Sequence, residues 1–157
     1  MPSTDKGIVK VAVAERHKRA GNIFVGFVEG FGLKKGAVAT SVAHDSHNIT
    51  VIGVSDSDMA MVVNALSDVG CGIVAVQNGK TLGLVELPIA GLMSDERPEI
   101  VCGKIEGLQK ALETLGCTIE SPFMSLSLLA LPVLPELRIT DEGLEDVKEF
   151  KFIPLFV

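Results

Sequence analysis

The sequence predicts an α+β fold, with a largely antiparallel sheet of about six to seven strands packed with two to three helices. Three observations predict it. Runs with two-residue alternation crowd the first half of the chain, and runs with helical spacing dominate the second. Between two apolar runs stands Asn78-Gly79, a dipeptide that enters positive φ easily and is the strongest hairpin signal in the chain.

Taken in order, residues 1–7 read as a loose arm and 8–157 as one domain with no linker. Residues 8–14 are β-branched, with Val9, Val11 and Val13 on one face, which is strand spacing. Arg16 to Asn22 reads as a polar connection, with the basic cluster Arg16-His17-Lys18-Arg19 as a solvated turn. Residues 23–31 alternate Ile23, Val25 and Phe27 against Phe24, Gly26 and Val28, a second strand with both faces apolar. Gly30, Gly32 and Gly36 frame a loop, and 37–43 and 49–54 are two further strands.

The period then changes. Met59, Val62, Val63, Leu66 and Val69 recur at helical spacing, with Ser55 or Asp56 placed to cap the helix and Gly70 to stop it. Residues 72–77 and 81–87 flank the hairpin turn. The apolar loop 87–93 is unusual for an exposed connection and is expected at an interface or cleft. Ser94-Asp95-Glu96 is expected to open a helix buried along Ile100, Ile105, Leu108, Leu112 and Leu115 and ended by Gly116. Ser121-Pro122 caps an apolar helix that Pro132 and Pro135 end. Residues 137–139 form a short strand, and 141–149 read as an acidic loop.

At 157 residues the chain can bury its own core without disulfides. Its 47% hydrophobic content and mean hydropathy of +0.41 make a membrane span the first thing to test. The longest uncharged run, 121–135, carries three prolines and falls short of the roughly 20 residues a spanning helix needs. No basic region precedes an apolar run at the N-terminus, so no secretory leader and no membrane partner are expected. The surplus apolar surface points instead to a homo-oligomer or a contact with another domain. A net charge of -6 argues against nucleic acid. Cys71, Cys102 and Cys117 are odd in number and lack CxxC spacing, which fits reduced core cysteines in a cytoplasmic chain.

Chemistry concentrates in one stretch. Ser41, His44, Asp45, Ser46, His47 and Asn48 put two of the three histidines, an acid, two hydroxyls and an amide between apolar strands. They are the candidates for an active-site-facing surface. Three readings stay open: a hydrogen-bonded turn, one part of a ligand site, or a metal site that would need a third ligand besides the two histidines. The glycines at 26, 30, 32 and 36 make neither GxGxxG nor a P-loop, and no GxSxG elbow occurs. His17, in the charged turn, reads as solvated.

The run Gly30-Phe31-Gly32-Leu33-Lys34-Lys35-Gly36-Ala37 followed by Ser41 to Asn48 resembles the C-terminal domain of adenine deaminases of the amidohydrolase type. So do Asp58-Met59-Ala60, the stretch from Leu87 to Ser94, Pro122-Phe123-Met124 with the proline-flanked run after it, and the ending Phe150 to Leu155. The resemblance covers essentially the whole chain from Ile8. It implies an enzyme that converts adenine and water to hypoxanthine and ammonia. Its manganese or iron would sit in a preceding (β/α)8 barrel, which needs about 250 residues. That barrel is the partner implied, and adenine the ligand. The family's His-x-His metal motif does not occur here, so no metal ligand is assigned to this chain and it is not expected to deaminate adenine alone. The expected role of 41–48 is to line the barrel mouth. The alternatives are a purine-binding or oligomerising module without activity, and a stand-alone metallohydrolase using His44, Asp45 and His47.

Overall fold

The computed structural model describes residues 3–18 and 21–156. Arg19 of the basic cluster and the two residues at the start of the expected arm lie outside them, as does Val157. Within the stretch read as an arm, Thr4–Lys6 make one 3-10 turn, and Ser3 exchanges backbone hydrogen bonds with Ile8 at 2.9 and 3.0 Å.

Nine strands and three α-helices follow among the described residues. Strands β1 (Ile8–Ala14), β2 (Ile23–Glu29), β3 (Ala37–Thr40), β4 (Ile49–Gly53), β5 (Gly72–Gln77) and β6 (Lys80–Glu86) form one sheet in the order β2-β1-β4-β3-β5-β6. Every neighbouring pair is antiparallel. The α+β expectation therefore holds, with six strands in the main sheet. A smaller sheet joins β7 (Leu137–Ile139), β8 (Leu144–Asp146) and β9 (Lys151–Ile153). Part of 141–149, expected as a loop, is thus β8. Its alternation is too short and too acidic to register as a strand in the sequence.

The central strands β1, β4, β3 and β5 are buried on both faces, which explains why they read as near-continuous apolar runs, while the edge strands β2 and β6 stay partly exposed. On one face Val9, Val11, Val13, Val38, Ile52 and Val85 pack against Leu108, Leu112 and Leu115 of α2 (Pro98–Leu115) and Leu126 of α3 (Pro122–Leu129). On the other face Ala12, Ala14, Ala37, Ala39 and Val51 meet Met59, Val62 and Leu66 of α1 (Asp56–Asp68). The residues of that second face are small, so α1 sits close. A Cβ on Gly53 would lie 2.5 Å from Met59 Cγ. Leu66, Leu108 and Leu115 are fully buried, and each contributes about 2 kcal/mol of transfer free energy.

Ser55 caps α1 as its position suggests, with its hydroxyl accepting from Asp58 N. Asp58 does something the sequence did not indicate. It is buried, and its carboxylate accepts Asn78 N at 3.1 Å and Gly79 N at 3.0 Å, pinning the β5–β6 hairpin to the start of the helix. Helix α2 begins at Pro98, not Ser94, because a residue before proline is driven to extended backbone and Arg97 has ψ 144. Ser94 instead accepts from Glu96 N in a local turn. Ile100, expected in the buried stripe, is exposed, because the stripe that packs on the core runs through Val101, Ile105, Leu108, Leu112 and Leu115. Ser121 makes no side-chain cap bond, and Cys102, expected in the core, is exposed. Among the described residues no helix is long and apolar enough to cross a membrane.

Candidate functional site at the histidine turn

Strand β3 stops at Thr40, three residues earlier than its composition suggests. Regular pairing ends at Ser41, which is completely buried and bonds Gly72, the first residue of β5. Its hydroxyl accepts Gly72 N at 3.0 Å and donates to Gly91 O at 2.7 Å, while its own N–H donates to Gly72 O at 3.0 Å. The chain then turns from Val42 to Asn48 before β4 resumes. His47 takes φ 51, and its N–H donates to Ala43 O at 2.6 Å. Asn48 is buried at the far side, where Nδ2 donates to Asp141 Oδ1 at 3.0 Å and Oδ1 accepts Arg16 N at 3.4 Å.

The six candidate residues therefore divide into two groups. Ser41 and Asn48 face inward and build the turn. Asp45 and Ser46 are exposed, and His44 and His47 are half-buried, with ring centroids 5.8 Å apart and planes tilted by 54°. Nδ1 of each histidine is hidden from solvent and has no hydrogen-bond partner among the described residues. Exchange of a proton with anything outside the chain then falls to Nε2 of each ring.

Beside His44 lies a cleft of about 130 Å³ walled by Val42, Ile73, Phe123 and Met124. A second cleft of about 230 Å³ flanks Ser46 and Asn48 and is bounded by Glu15, His17 and Asp141. Under the turn runs the apolar loop 87–93. Leu87 is buried, but Ile89 and Met93 are exposed.

The segment after β1 is exposed at His17 and Lys18, as its charge suggested, but Arg16 is half-buried and folds back onto the site. Arg16 Nε donates to His47 O, Nη2 donates to Ala90 O at 2.8 Å, and Nη1 lies 3.8 Å from Cys71 Sγ. His17 Nε2 bonds Ser46 O at 2.7 Å. Sequence reasoning missed both contacts, together with Asp141. The available signal was an arginine–histidine pair directly following a strand in a chain with few cations, and nothing local says where that pair folds back.

Burial holds His47 below the ordinary imidazole pKa, helped by the neighbouring His44 and the Arg16 guanidinium. Asp45 opposes this, and His17 adds a small further depression. The imidazole is thus biased toward its neutral form. An unfolded chain titrates this group near the ordinary 6.5 and the folded chain lower, so the unfolded state binds more protons in between. The resulting stability is fully present above pH 6.5 and is lost as pH falls through the depressed folded value. Thermal melts of the parent should decline with pH in that window, and those of His47→Gln should decline less.

No three histidine, cysteine, aspartate or glutamate side chains converge to hold a metal ion among the described residues. His44, Asp45 and His47 therefore do not form a three-ligand site.

Comparison with known proteins gives the turn its context. The family described as "Adenine deaminase C-terminal domain" matches residues 1–151. An adenine deaminase of Desulfatibacillum aliphaticivorans is 58% identical over 149 residues, covering 95% of this chain and 26% of that protein. One of Moorella thermoacetica is 53% identical over 148 residues, 94% of this chain and 25% of its own length. One of Brucella anthropi is 52% identical over 152 residues, 97% of this chain and 27% of its own. The chain spans about a quarter of the length of these relatives, and it belongs to the adenine deaminase C-terminal domain family.

Proposed function

We propose that this chain is the part of an adenine deaminase that closes the active site of a barrel domain, with the histidine turn aimed at the barrel mouth. The observation that carries the reading is the pair of imidazoles 5.8 Å apart, each with a hidden, unpartnered Nδ1. A buried polar atom without a partner costs about 1–3 kcal/mol, a cost that needs an explanation beyond folding. The surroundings agree with it. The cleft beside His44 carries exposed Met124, and the loop anchored beneath the turn carries exposed Ile89 and Met93. Apolar side chains around a polar turn suit a surface covered by another domain.

In this reading the reaction is hydrolytic deamination of adenine to hypoxanthine and ammonia. Manganese or iron would be held by the barrel and would supply an activated water. What this chain supplies is its own: His47, biased neutral, can accept or relay a proton at Nε2, and His44 beside it can hydrogen-bond the purine edge. Ser41 and Asn48 keep the turn in place from beneath, and Asp45 and Ser46 sit on its exposed crest. A reduced, cytoplasmic setting belongs to the same reading.

The test uses the complete enzyme. His44→Ala and His47→Ala are each expected to lower kcat/KM for adenine by about 100-fold, the usual scale for a lost proton-transfer group. Unchanged kcat/KM in both variants would show the turn to be structural. Mixing this chain with a barrel-only protein should restore ammonia release that neither piece gives alone.

A second role, self-association, is favoured by Phe150, Phe152 and Phe156, which stand exposed on the C-terminal segment. Sedimentation of the parent and a Phe150→Ser/Phe152→Ser variant reads this directly. Self-association of the parent and its loss in the variant are the expected result.

A further inference from the structure

Arg16 lies outside the stretch where the chemistry of the sequence is concentrated, yet its side chain reaches three separate parts of the site. Its guanidinium donates to the carbonyl of His47 in the turn and to that of Ala90 in the apolar loop, and it lies against the sulfur of Cys71 at the start of β5. The backbone of those three residues has something in common. His47 has φ 51, Ala90 φ 59 and Cys71 φ 85, all in the left-handed region that side chains other than glycine rarely adopt. Only two other non-glycine residues among those described, Asn78 and Phe150, share it. Residues in such conformations persist where surrounding contacts over-determine them, and they gather at sites whose geometry matters.

The packing is equally specific. A Cβ at Gly91 would lie 2.9 Å from Cζ and from both terminal nitrogens of Arg16, so the guanidinium rests against bare backbone there. Gly91 O is in turn held by the buried hydroxyl of Ser41. The loop 87–93 is therefore gripped from two sides, by Ser41 and by Arg16. The histidine turn is gripped by Arg16 at His47 and by His17 at Ser46.

We propose that Arg16 is the positioning residue of the histidine turn, fixing the orientation of His47 relative to the 87–93 loop through its fork of donors. The assignment of a catalytic use to that orientation rests on the deaminase reading given above; the positioning itself does not. Only arginine suits the place. The planar guanidinium presents five N–H donors in fixed directions and can serve both carbonyls and the sulfur at once, whereas a lysine ammonium offers one point of contact on a flexible stem. Arg16 need not touch substrate to act. It works through the backbone carbonyl of His47 and so through the direction in which that ring points.

The experiment compares Arg16→Gln and Arg16→Lys with the parent. Amide resonances and the His47 ring titration are followed in the 157-residue chain, and adenine turnover is followed in the complete enzyme. In both variants the amide shifts are expected to spread from 15–18 to 44–48, 71 and 87–93, with little change in the thermal midpoint. The His47 titration midpoint should rise toward the ordinary value in Arg16→Gln and move less in Arg16→Lys, which keeps the charge. The other charged or titratable groups facing that ring, His44, Asp45 and His17, are unchanged in both. In the complete enzyme kcat is expected to fall about tenfold with KM little altered, and lysine should not rescue it.

Shifts confined to 15–18, with the His47 titration unmoved, would overturn the proposal. So would global unfolding of both variants, which would make Arg16 a general stabiliser. Should the resonances move as expected while turnover stays at the parent level, the positioning role stands and the deaminase use of the turn falls.

Discussion

Gly72→Ala should remove about 4 kcal/mol or more of stability, at the severe end for a single substitution and comparable to the whole stability of many domains. Gly72 opens β5 with φ +149, where a side chain is strained, and an added Cβ would lie 2.0 Å from Val85 O. That atom is backbone in the paired strand β6, so no rotamer change relieves the clash. Gly79 supplies the control. It too has positive φ, at +72, but a Cβ there meets nothing within 4 Å. Gly79→Ala should therefore cost only the conformational term, about 1 kcal/mol. Denaturant unfolding of the two variants beside the parent separates steric from conformational cost. Similar midpoints for both would refute the steric account. The consequence reaches the site, because Gly72 is the residue whose N–H and C=O hold Ser41 at the base of the histidine turn.

Ser41→Ala should cost about 2–3 kcal/mol through another mechanism. The substitution removes a single oxygen from a fully buried position, leaving Gly72 N and Gly91 O without their side-chain partner. Buried donors and acceptors stripped of partners each cost about 1–3 kcal/mol, and a small cavity gives water little room to compensate. The loss should be uneven. Hydrogen exchange should accelerate most at 87–93, the loop that Ser41 holds through Gly91, and least in α1, which packs on the opposite face. Uniform acceleration across the chain would mean that Ser41 supports the fold generally and not that loop.

Much of the architecture is legible residue by residue. Val9, Val11 and Val13 alternate because the pleat sends alternate side chains to opposite faces, and the face they choose is the one α2 and α3 cover. Asn78-Gly79 forms the expected turn with φ 51 and 72 because that dipeptide reaches left-handed backbone cheaply. The misses have a common cause. Ile100 and Val101 are adjacent apolar residues, and only the distant segments they meet decide that Val101 is the one packed inward. Asp58 lies in the acidic first turn of α1, and its partners are 20 and 21 residues away in sequence.

The candidate site shows the same division more sharply. The concentration of His44, Asp45, Ser46 and His47 on a turn between two strands is a local property, determined by the sequence alone along with the family to which the chain belongs. The tertiary structure decided which of those residues face outward, that Ser41 and Asn48 serve as supports, and that Arg16 reaches the turn from 31 residues away. The physical reason is that backbone conformation and side-chain period are set by near neighbours. The partner of a buried hydroxyl or a guanidinium is set by which distant segments the sheet brings to the same end, and here the order β1-β4-β3-β5 does that.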